Sequence, residues 1–511
     1  MKNNYDEKRF VIISNRLPLL AKRGKGGLEL MPGSGGLVSA LAPVLRNRGG
    51  VWIGWPGIVD VDEKEIADLF ATAQAAAGFS LRPVPLSSEE VRLYYDGFAN
   101  EIIWPLFHEL SSDCVFDPSY WEGVQGVTKK FAQVAKTECR PNDFLWIHDY
   151  HLLLLGRELR RNSVQTKSAF FLHIPFPAPD IFLKLPWRFE VLRALLEYDL
   201  IGFQTMHDQR NFTQCVRKLL PDIQFKSTEG LHICKYESRE VRIGSFPISI
   251  DYNEFSASAC GKEVADEAWV SHEKLAGQKI IFSLDRLDST KGIPYRLEAI
   301  RDLLINHPEL HRTVTFVQVI IPSRTEVPKY QALKKQIDQL IGEINGQFTQ
   351  PGWVPIHYIY RSLSKKELLA FYRMSEVALV TSVRDGMNLV SKEYIAANVD
   401  ERGVLVLSEF AGAASQLQKE ALLINPFDIQ GVSRTIYTAL TLPDEERKRR
   451  MRRMRHIVRR RDIFWWVRLF LQAAISKELH DFPIVEEYTP SEQMSDKAHE
   501  VRPQPLIPEN S

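Results

Sequence analysis

Within this 511-residue chain, the segment best suited to chemistry is a glycine turn flanked by carboxylates, Val383-Arg384-Asp385-Gly386-Met387-Asn388-Leu389-Val390-Ser391-Lys392-Glu393-Tyr394. An apolar strand precedes it and a helical pattern follows. Amides at a helix start lack intrahelical partners and suit phosphate oxygens or sugar hydroxyls, which fits Gly386 to Leu389. Glu393 follows Asp385 by eight residues, a little over two helical turns, so both can face one groove. A carboxylate there can accept both hydroxyls of a ribose. A second loop, Leu284-Asp285-Arg286-Leu287-Asp288-Ser289-Thr290-Lys291-Gly292, leads into a helix over Tyr295 to Asn306. Arg286 and Lys291 in one strand-to-helix loop can neutralise a pyrophosphate.

Polar residues also follow earlier apolar runs. His148-Asp149-Tyr150-His151 comes directly after Ile147, and His173-Ile174-Pro175-Phe176-Pro177 after Leu172. Ser14-Asn15-Arg16 follows the first run, and Gly33-Ser34-Gly35-Gly36 precedes a helical pattern starting at Leu37. A metal reading of the His/Asp cluster needs three or four ligands at matched spacing, and no Glu or Cys partner is apparent. Paired carboxylates would suit a glycoside hydrolase. If the leaving group is a nucleoside diphosphate, however, the main task is to stabilise its developing charge. Arg286, Lys291 and helix amides can do that without a metal. A sugar transferase fits better.

The elements that must position these residues alternate along nearly the whole chain. Val11-Ile12-Ile13, Phe144 to Ile147, Ala169 to Leu172 and Leu200 to Phe203 read as buried strands, separated by amphipathic stretches such as Tyr120 to Cys139 and Trp187 to Tyr198. The alternation resumes at Lys279 to Phe282, Val314 to Ile321, Val377 to Val380 and Val404 to Leu407. Apolar strands interleaved with helices imply α/β architecture with parallel sheets covered on both faces. A weaker region from Ser245 to Gly277 puts a boundary near residue 250. Two Rossmann-like domains facing across a cleft are expected, over 1–250 and 251–460, with a helix over 461–480 and a disordered polar tail over 486–511. Neither glycine cluster completes GxGxxG, since Glu29 and Val38 occupy the final positions, and no GxxxxGK[ST] loop occurs.

Composition narrows the partners. Lys plus Arg is 65 against 64 acidic residues, a formal charge of +1, so no global field favours nucleic acid or an anionic membrane. Ten basic residues crowd Arg447 to Arg461, but Met451, Met454 and Val458 fall at helical spacing, which predicts a buried stripe under a solvated basic face. The five cysteines are scattered and form no CxxC. Without a signal-peptide core or membrane-length apolar run, a cytoplasmic location is expected.

The motifs SNRL, GGLVSAL, WIGWPG, YYDGFANEIIWPLFH, WIHDYHLLLL, FFLHIPFPAPDIFLKLPWR, DLIGFQT, RDGMNLVSKEY and VLSEFAGAA occur in that order between Arg9 and Lys477. On these the chain resembles the trehalose-6-phosphate synthases, retaining glycosyltransferases of the GT-B fold in glycosyltransferase family 20. The resemblance implies transfer of glucose from a nucleotide-glucose to glucose 6-phosphate. UDP-glucose is favoured, with ADP and GDP left open. It implies that Arg16 and Arg324 hold the acceptor phosphate beside Tyr95, that Trp55 and Trp104 shape the acceptor pocket, and that Asp149 and Gln204 serve the acceptor side. Gly35 and Gly36 would approach the donor diphosphate and sugar. His173 and Asp385 would hold the donor glucose with the amides of Gly386, Met387, Asn388, Leu389 and Val390. Arg286 and Lys291 would bind the diphosphate and Glu393 the ribose.

By the same resemblance no metal or other cofactor is required, no enzymic nucleophile is needed, and the helix over Asp462 to Lys477 crosses back to the first domain with Phe464, Trp465 and Trp466 as anchors. The partners implied are the two small-molecule substrates, with neither nucleic acid nor membrane, and a homo-oligomer is left open. The chain departs from the family at Asp288-Ser289-Thr290-Lys291-Gly292, where D-Y-S-K-G is usual, and near Leu363, where an aromatic is usual. Two alternatives stand at this point: a relative using glycerol 3-phosphate or a cyclitol phosphate as acceptor, and a non-catalytic regulatory relative.

Overall fold

The apolar runs become the centres of two sheets that share the order 3-2-1-4-5-6 among their parallel strands. The computed structural model describes residues 8–24, 27–33, 37–38, 41–42, 45–46, 49–228, 230–274, 277–324, 327–476, 483 and 485–490. Gly35, Gly36 and residues 491–511 of the expected tail lie outside them, whereas the start of that tail, expected to be disordered, is held in place by Gln418 donating to the Glu487 carbonyl and Tyr488 Oη donating to Glu409. The chain divides into two units, Met1–Ile248 with Phe464–Val485, and Ser249–Ile463 with Glu486–Ser511.

In the first unit, neighbouring strands run Ser80–Pro83, Gly50–Trp55, Phe10–Arg16, Phe144–His148, Lys167–Phe171, Leu200–Phe203 and Arg239–Ser245, all parallel. Counted along the chain this is the order 3-2-1-4-5-6-7, so the winding reverses between Phe10–Arg16 and Phe144–His148. Ligands of such sheets bind beyond the strand C-termini at that reversal. Register sharpens the placement. Ile13 pairs with both Ile53 and Ile147, Arg16 with Trp55, and His148 with Phe171. Arg16, Asp149 and His173 therefore emerge along one edge.

Three features of this unit depart from the expected pattern. Leu231–Tyr236 and Phe225–Thr228 extend the sheet antiparallel. Leu19–Gly24 and Gly27–Pro32 form a separate antiparallel ribbon. Val91–Ile103, which carries Tyr95, is wound as a π-helix, ending with the Trp104 N–H donating to the Ala99 carbonyl five residues back. A π-turn of this length is rare and often marks a functional site.

The helix Ile463–Ile475 packs on the first sheet through Trp466, which is fully buried, while Phe464 and Trp465 are only half-buried. The Trp466 ring lies 5.1 Å from Trp146, and its Nε1 donates to the Phe246 carbonyl at 3.0 Å. Gly202 allows this fit, since a Cβ there would lie 2.7 Å from the Phe470 ring. Arg242 closes the helix end, donating to the carbonyls of Ala473 and Ser476 at 2.9 and 2.6 Å.

The second unit's sheet is parallel throughout and runs Ile356–Ile359, Val314–Ile321, Lys279–Arg286, Val377–Val380, Val404–Ser408 and Leu422–Ile424. Its order is 3-2-1-4-5-6, with the reversal between Lys279–Arg286 and Val377–Val380. Both carboxylate and cation loops leave from those two strands. The basic helix Asp444–Arg460 buries Met451, Met454 and Val458 as expected, and Arg447 too. Arg447 donates to the carbonyls of Leu442, Ala439 and Leu440 near the end of the preceding helix, Ile429–Thr441. Among the described residues no helix is long and apolar enough to cross a membrane.

Removing the Trp466 indole deletes a stack and a buried hydrogen bond together. Trp466→Ala is expected to lower stability by about 3–5 kcal/mol, read as a shifted denaturant midpoint.

Candidate active site

A buried arginine organises the second unit's switch point. Arg296, on the helix Ile293–Asn306, is 0% exposed. Its Nη2 lies 2.7 Å from Asp285 Oδ2, Nε donates to Thr381 Oγ1 at 2.9 Å, and Nη1 to Gln318 Oε1 at 2.9 Å. Nη2 also donates to the Lys291 carbonyl at 3.2 Å. One guanidinium thus ties the ends of two strands to the loop between strand and helix. Burial pushes the Asp285 carboxyl above its ordinary pKa, against the pull of Arg296 and Lys291.

The loop itself is held by Asp288, 1% exposed, whose Oδ1 accepts from the Thr290 amide and hydroxyl at 3.0 and 2.9 Å. Burial acts to raise the Asp288 pKa, but Arg324, Lys291 and Arg286 outweigh it and hold the group below the usual range. Gly292 follows at φ 63°, and a Cβ there would meet the Thr381 carbonyl at 2.3 Å. This position requires glycine. Arg286 is exposed at its strand end.

Across the switch point, Lys291 Nζ lies 2.6 Å from Asp385 Oδ2. The same oxygen accepts from Ser382 Oγ and Asn388 Nδ2, both at 3.1 Å. The Asp385–Met387 backbone is clamped by the next loop: Asp385 N–H donates to the Phe410 carbonyl, Gly412 N–H to the Asp385 carbonyl and Ala413 N–H to the Met387 carbonyl. Asn388, at φ 71°, caps the helix Leu389–Ala397 by accepting from the Ser391 amide. A non-glycine residue in that conformation is strained, a condition concentrated at functional sites. Glu393 accepts from Tyr372 Oη at 2.9 Å, and burial raises its pKa. Arg324 stands beside Asp288, 3.8 Å away, and donates to Tyr330 Oη.

The first unit's switch point carries an aromatic shelf. Arg16 is exposed, its guanidinium 4.9 Å from the Trp55 ring and 5.2 Å from the Tyr95 ring. Tyr95 stacks on His151 in turn. Trp104 is buried against Tyr150 and His108. The planar cation resting on two rings is pre-organised to pair with an oxyanion.

Beside this shelf, Asp149 adopts φ 76°, a strained value that turns the chain out of its strand. Its Oδ1 accepts from the His173 amide at 3.2 Å. His173 Nε2 faces His148 Nδ1 at 3.1 Å, and burial pulls the His173 pKa down to about 3. Gln204 is 1% exposed and spends its amide on the His173 carbonyl and the Ile248 amide. It acts through the backbone of His173.

Within each unit, the predicted residues lie on the loops and helices around its switch point, apart from Gln204, which follows Leu200–Phe203 two strands beyond Phe144–His148, and Gly35 and Gly36, which are outside the described residues. Arg296, Asp285, Asp288 and Tyr372 were not singled out. The available signal was Arg296 lying on the same helical face as Ile293, Ile300 and Leu303, where a charge needs buried partners. Among the described residues, no group of three or more His, Cys, Asp or Glu side chains could hold a metal ion.

The model of "Glycosyltransferase family 20" matches residues 8–476. A trehalose-6-phosphate synthase of Mycobacterium avium is 39% identical over 476 residues, covering 92% of this chain and 96% of that protein. A bifunctional trehalose-6-phosphate synthase/phosphatase of Thermoproteus tenax is 41% identical over 92% of this chain, which spans 64% of that protein's length. Among solved structures, an α,α-trehalose-phosphate synthase (UDP-forming) of Burkholderia xenovorans in complex with glucose 6-phosphate is 32% identical, with a TM-score of 0.82 over 92% of this chain and 100% of the other. An E. coli structure bound with UDP-2-fluoro glucose is 34% identical, with a TM-score of 0.81 over 91% and 98%. With one sheet parallel throughout, the other parallel except at one edge, and cations and carboxylates at their strand ends, this GT-B chain belongs to glycosyltransferase family 20.

Proposed function

We propose that the chain transfers the glucosyl unit of UDP-glucose to glucose 6-phosphate with retention, giving trehalose 6-phosphate and UDP. The observation that carries this reading is the second unit's switch point. There Lys291, Arg286 and the amides from Gly386 to Leu389 are arrayed on a scaffold fixed by Arg296. That array suits a diphosphate whose negative charge grows as its bond to the sugar breaks. The Burkholderia relative bound to glucose 6-phosphate and the E. coli relative bound to a UDP-sugar support the choice of substrates.

The roles follow from position and chemistry. Lys291 and Arg286 balance the diphosphate. Glu393, held by Tyr372, accepts the ribose hydroxyls. Asp385 has Oδ2 committed to Lys291, Ser382 and Asn388, which makes it an oriented acceptor for sugar hydroxyls rather than a nucleophile. His173, neutral throughout the working range, hydrogen-bonds the transferred sugar. Arg16 on its aromatic shelf and Arg324 bind the acceptor phosphate, while Trp55, Tyr95, Trp104 and Asp149 shape the acceptor pocket. The bond from the anomeric carbon to the diphosphate breaks as the bond to the acceptor hydroxyl forms on the same face. The acceptor's proton passes to the departing phosphate oxygen. Fixed cations and amides supply the positive charge, so no metal is required.

The test is an end-point assay in EDTA, crossing UDP-, ADP- and GDP-glucose with glucose 6-phosphate, glycerol 3-phosphate and a cyclitol phosphate. Trehalose 6-phosphate is expected from UDP-glucose and glucose 6-phosphate. Product from another acceptor alone, or activity abolished by the chelator, contradicts the proposal. Lys291→Ala is expected to lower kcat by about 10²–10³. Arg16→Ala is expected to raise the KM for glucose 6-phosphate about ten- to a hundred-fold while that for UDP-glucose holds, as loss of a charge-assisted bond implies. Steady-state kinetics checks both.

A further inference from the structure

His148 has no assigned role, yet it is the buried partner of His173. It is 0% exposed, and its Nδ1 lies 3.1 Å from His173 Nε2. Burial pulls both imidazoles down, His173 to about 3 and His148 well below its ordinary value, with His173 adding to the latter effect. Both rings are neutral at working pH, so one of the two facing nitrogens carries the shared proton and the other accepts it.

Two arrangements satisfy that contact. If His173 Nε2 carries the proton, His148 must be protonated on its own Nε2, a buried atom with no hydrogen-bond partner among the described residues. Buried N–H groups without an acceptor are rare and cost the desolvation of the donor. Trp146 offers little relief. Its ring is 5.1 Å away at 37°, nearer to stacking than to the edge-on approach in which a ring face accepts an N–H. If His148 Nδ1 carries the proton, only a lone pair is left in that apolar setting.

The geometry points to His148 as a positioning residue that fixes His173 in the tautomer protonated on Nδ1, making the half-buried edge of His173 a permanent hydrogen-bond donor. Asp149 and Gln204 hold the His173 backbone on both sides, so the ring has little freedom to reverse the arrangement. Resting on the function proposed above, this defines the role of His173 more closely. It can only donate, so the glucosyl hydroxyl it meets must present a lone pair.

The experiment is nitrogen NMR of the unliganded full-length chain labelled in histidine, with His173 signals identified by their loss in His173→Gln. The expected pattern at about pH 7 is a pyrrole-like Nδ1 and a pyridine-like Nε2 on His173; the reverse pattern overturns the inference. His148→Phe removes the donor and is expected to lower kcat about ten-fold or more with the glucose 6-phosphate KM unchanged, the scale of one lost hydrogen bond. His148→Asn, which retains an N–H near that position, should recover most of the loss. Wild-type kcat in His148→Phe, or no recovery in His148→Asn, also overturns it. Because the tautomer is read without substrate, failure of the UDP-glucose assay and failure of this inference give different results.

Discussion

The buried guanidinium of Arg296 is the constraint from which the second unit's site follows. A charge removed from water must find several partners or unfold its surroundings. Here the partners are Asp285 and Thr381 at two strand ends, Gln318 on a third strand, and the Lys291 carbonyl. Satisfying that one group fixes where the strand-to-helix loop begins and where it lies relative to the Asp385 turn. The Lys291–Asp385 pair is then a consequence of the scaffold rather than its cause. A pre-positioned cation has no reorganisation left to undergo when charge develops on a leaving group.

The first unit reaches a comparable result with different means. Its switch point holds one exposed cation, Arg16, oriented by ring faces instead of by buried acceptors. Next to it, Asp149 is held in a strained conformation by its neighbours, and its carboxylate spends one oxygen on the His173 amide. The π-helix Val91–Ile103 contributes Tyr95 to this shelf, and the wide winding alters which side chains share its inner face. The two units share the order 3-2-1-4-5-6 among their parallel strands and build on it one aromatic-lined site around the Arg16 cation and one site dense in paired charges.

Much of this organisation was legible in the sequence. Apolar runs such as Val314–Ile321 and Leu200–Phe203 became strands with those bounds, because parallel strands buried on both faces leave uninterrupted hydrophobic signatures. Polar residues directly after such runs had to lie at strand C-termini. The Leu19–Pro32 ribbon and the antiparallel edge of Phe225–Tyr236 were not anticipated, since short mixed stretches there carry no clean periodicity. Arg296 was missed for another reason: its partners Gln318 and Thr381 stand 22 and 85 residues away.

The sequence by itself determined the alternation of strand, turn and helix, and with it the set of residues carried at strand ends. Only the tertiary structure decided which of their atoms meet. That Lys291 closes on Asp385, that Gln204 serves backbone, and that His148 faces His173 all depend on register between strands and on burial supplied by remote segments. Local pattern encodes which face of an element is apolar; hydrogen bonds and proton positions answer to distance and dielectric, and both exist only once the chain has packed.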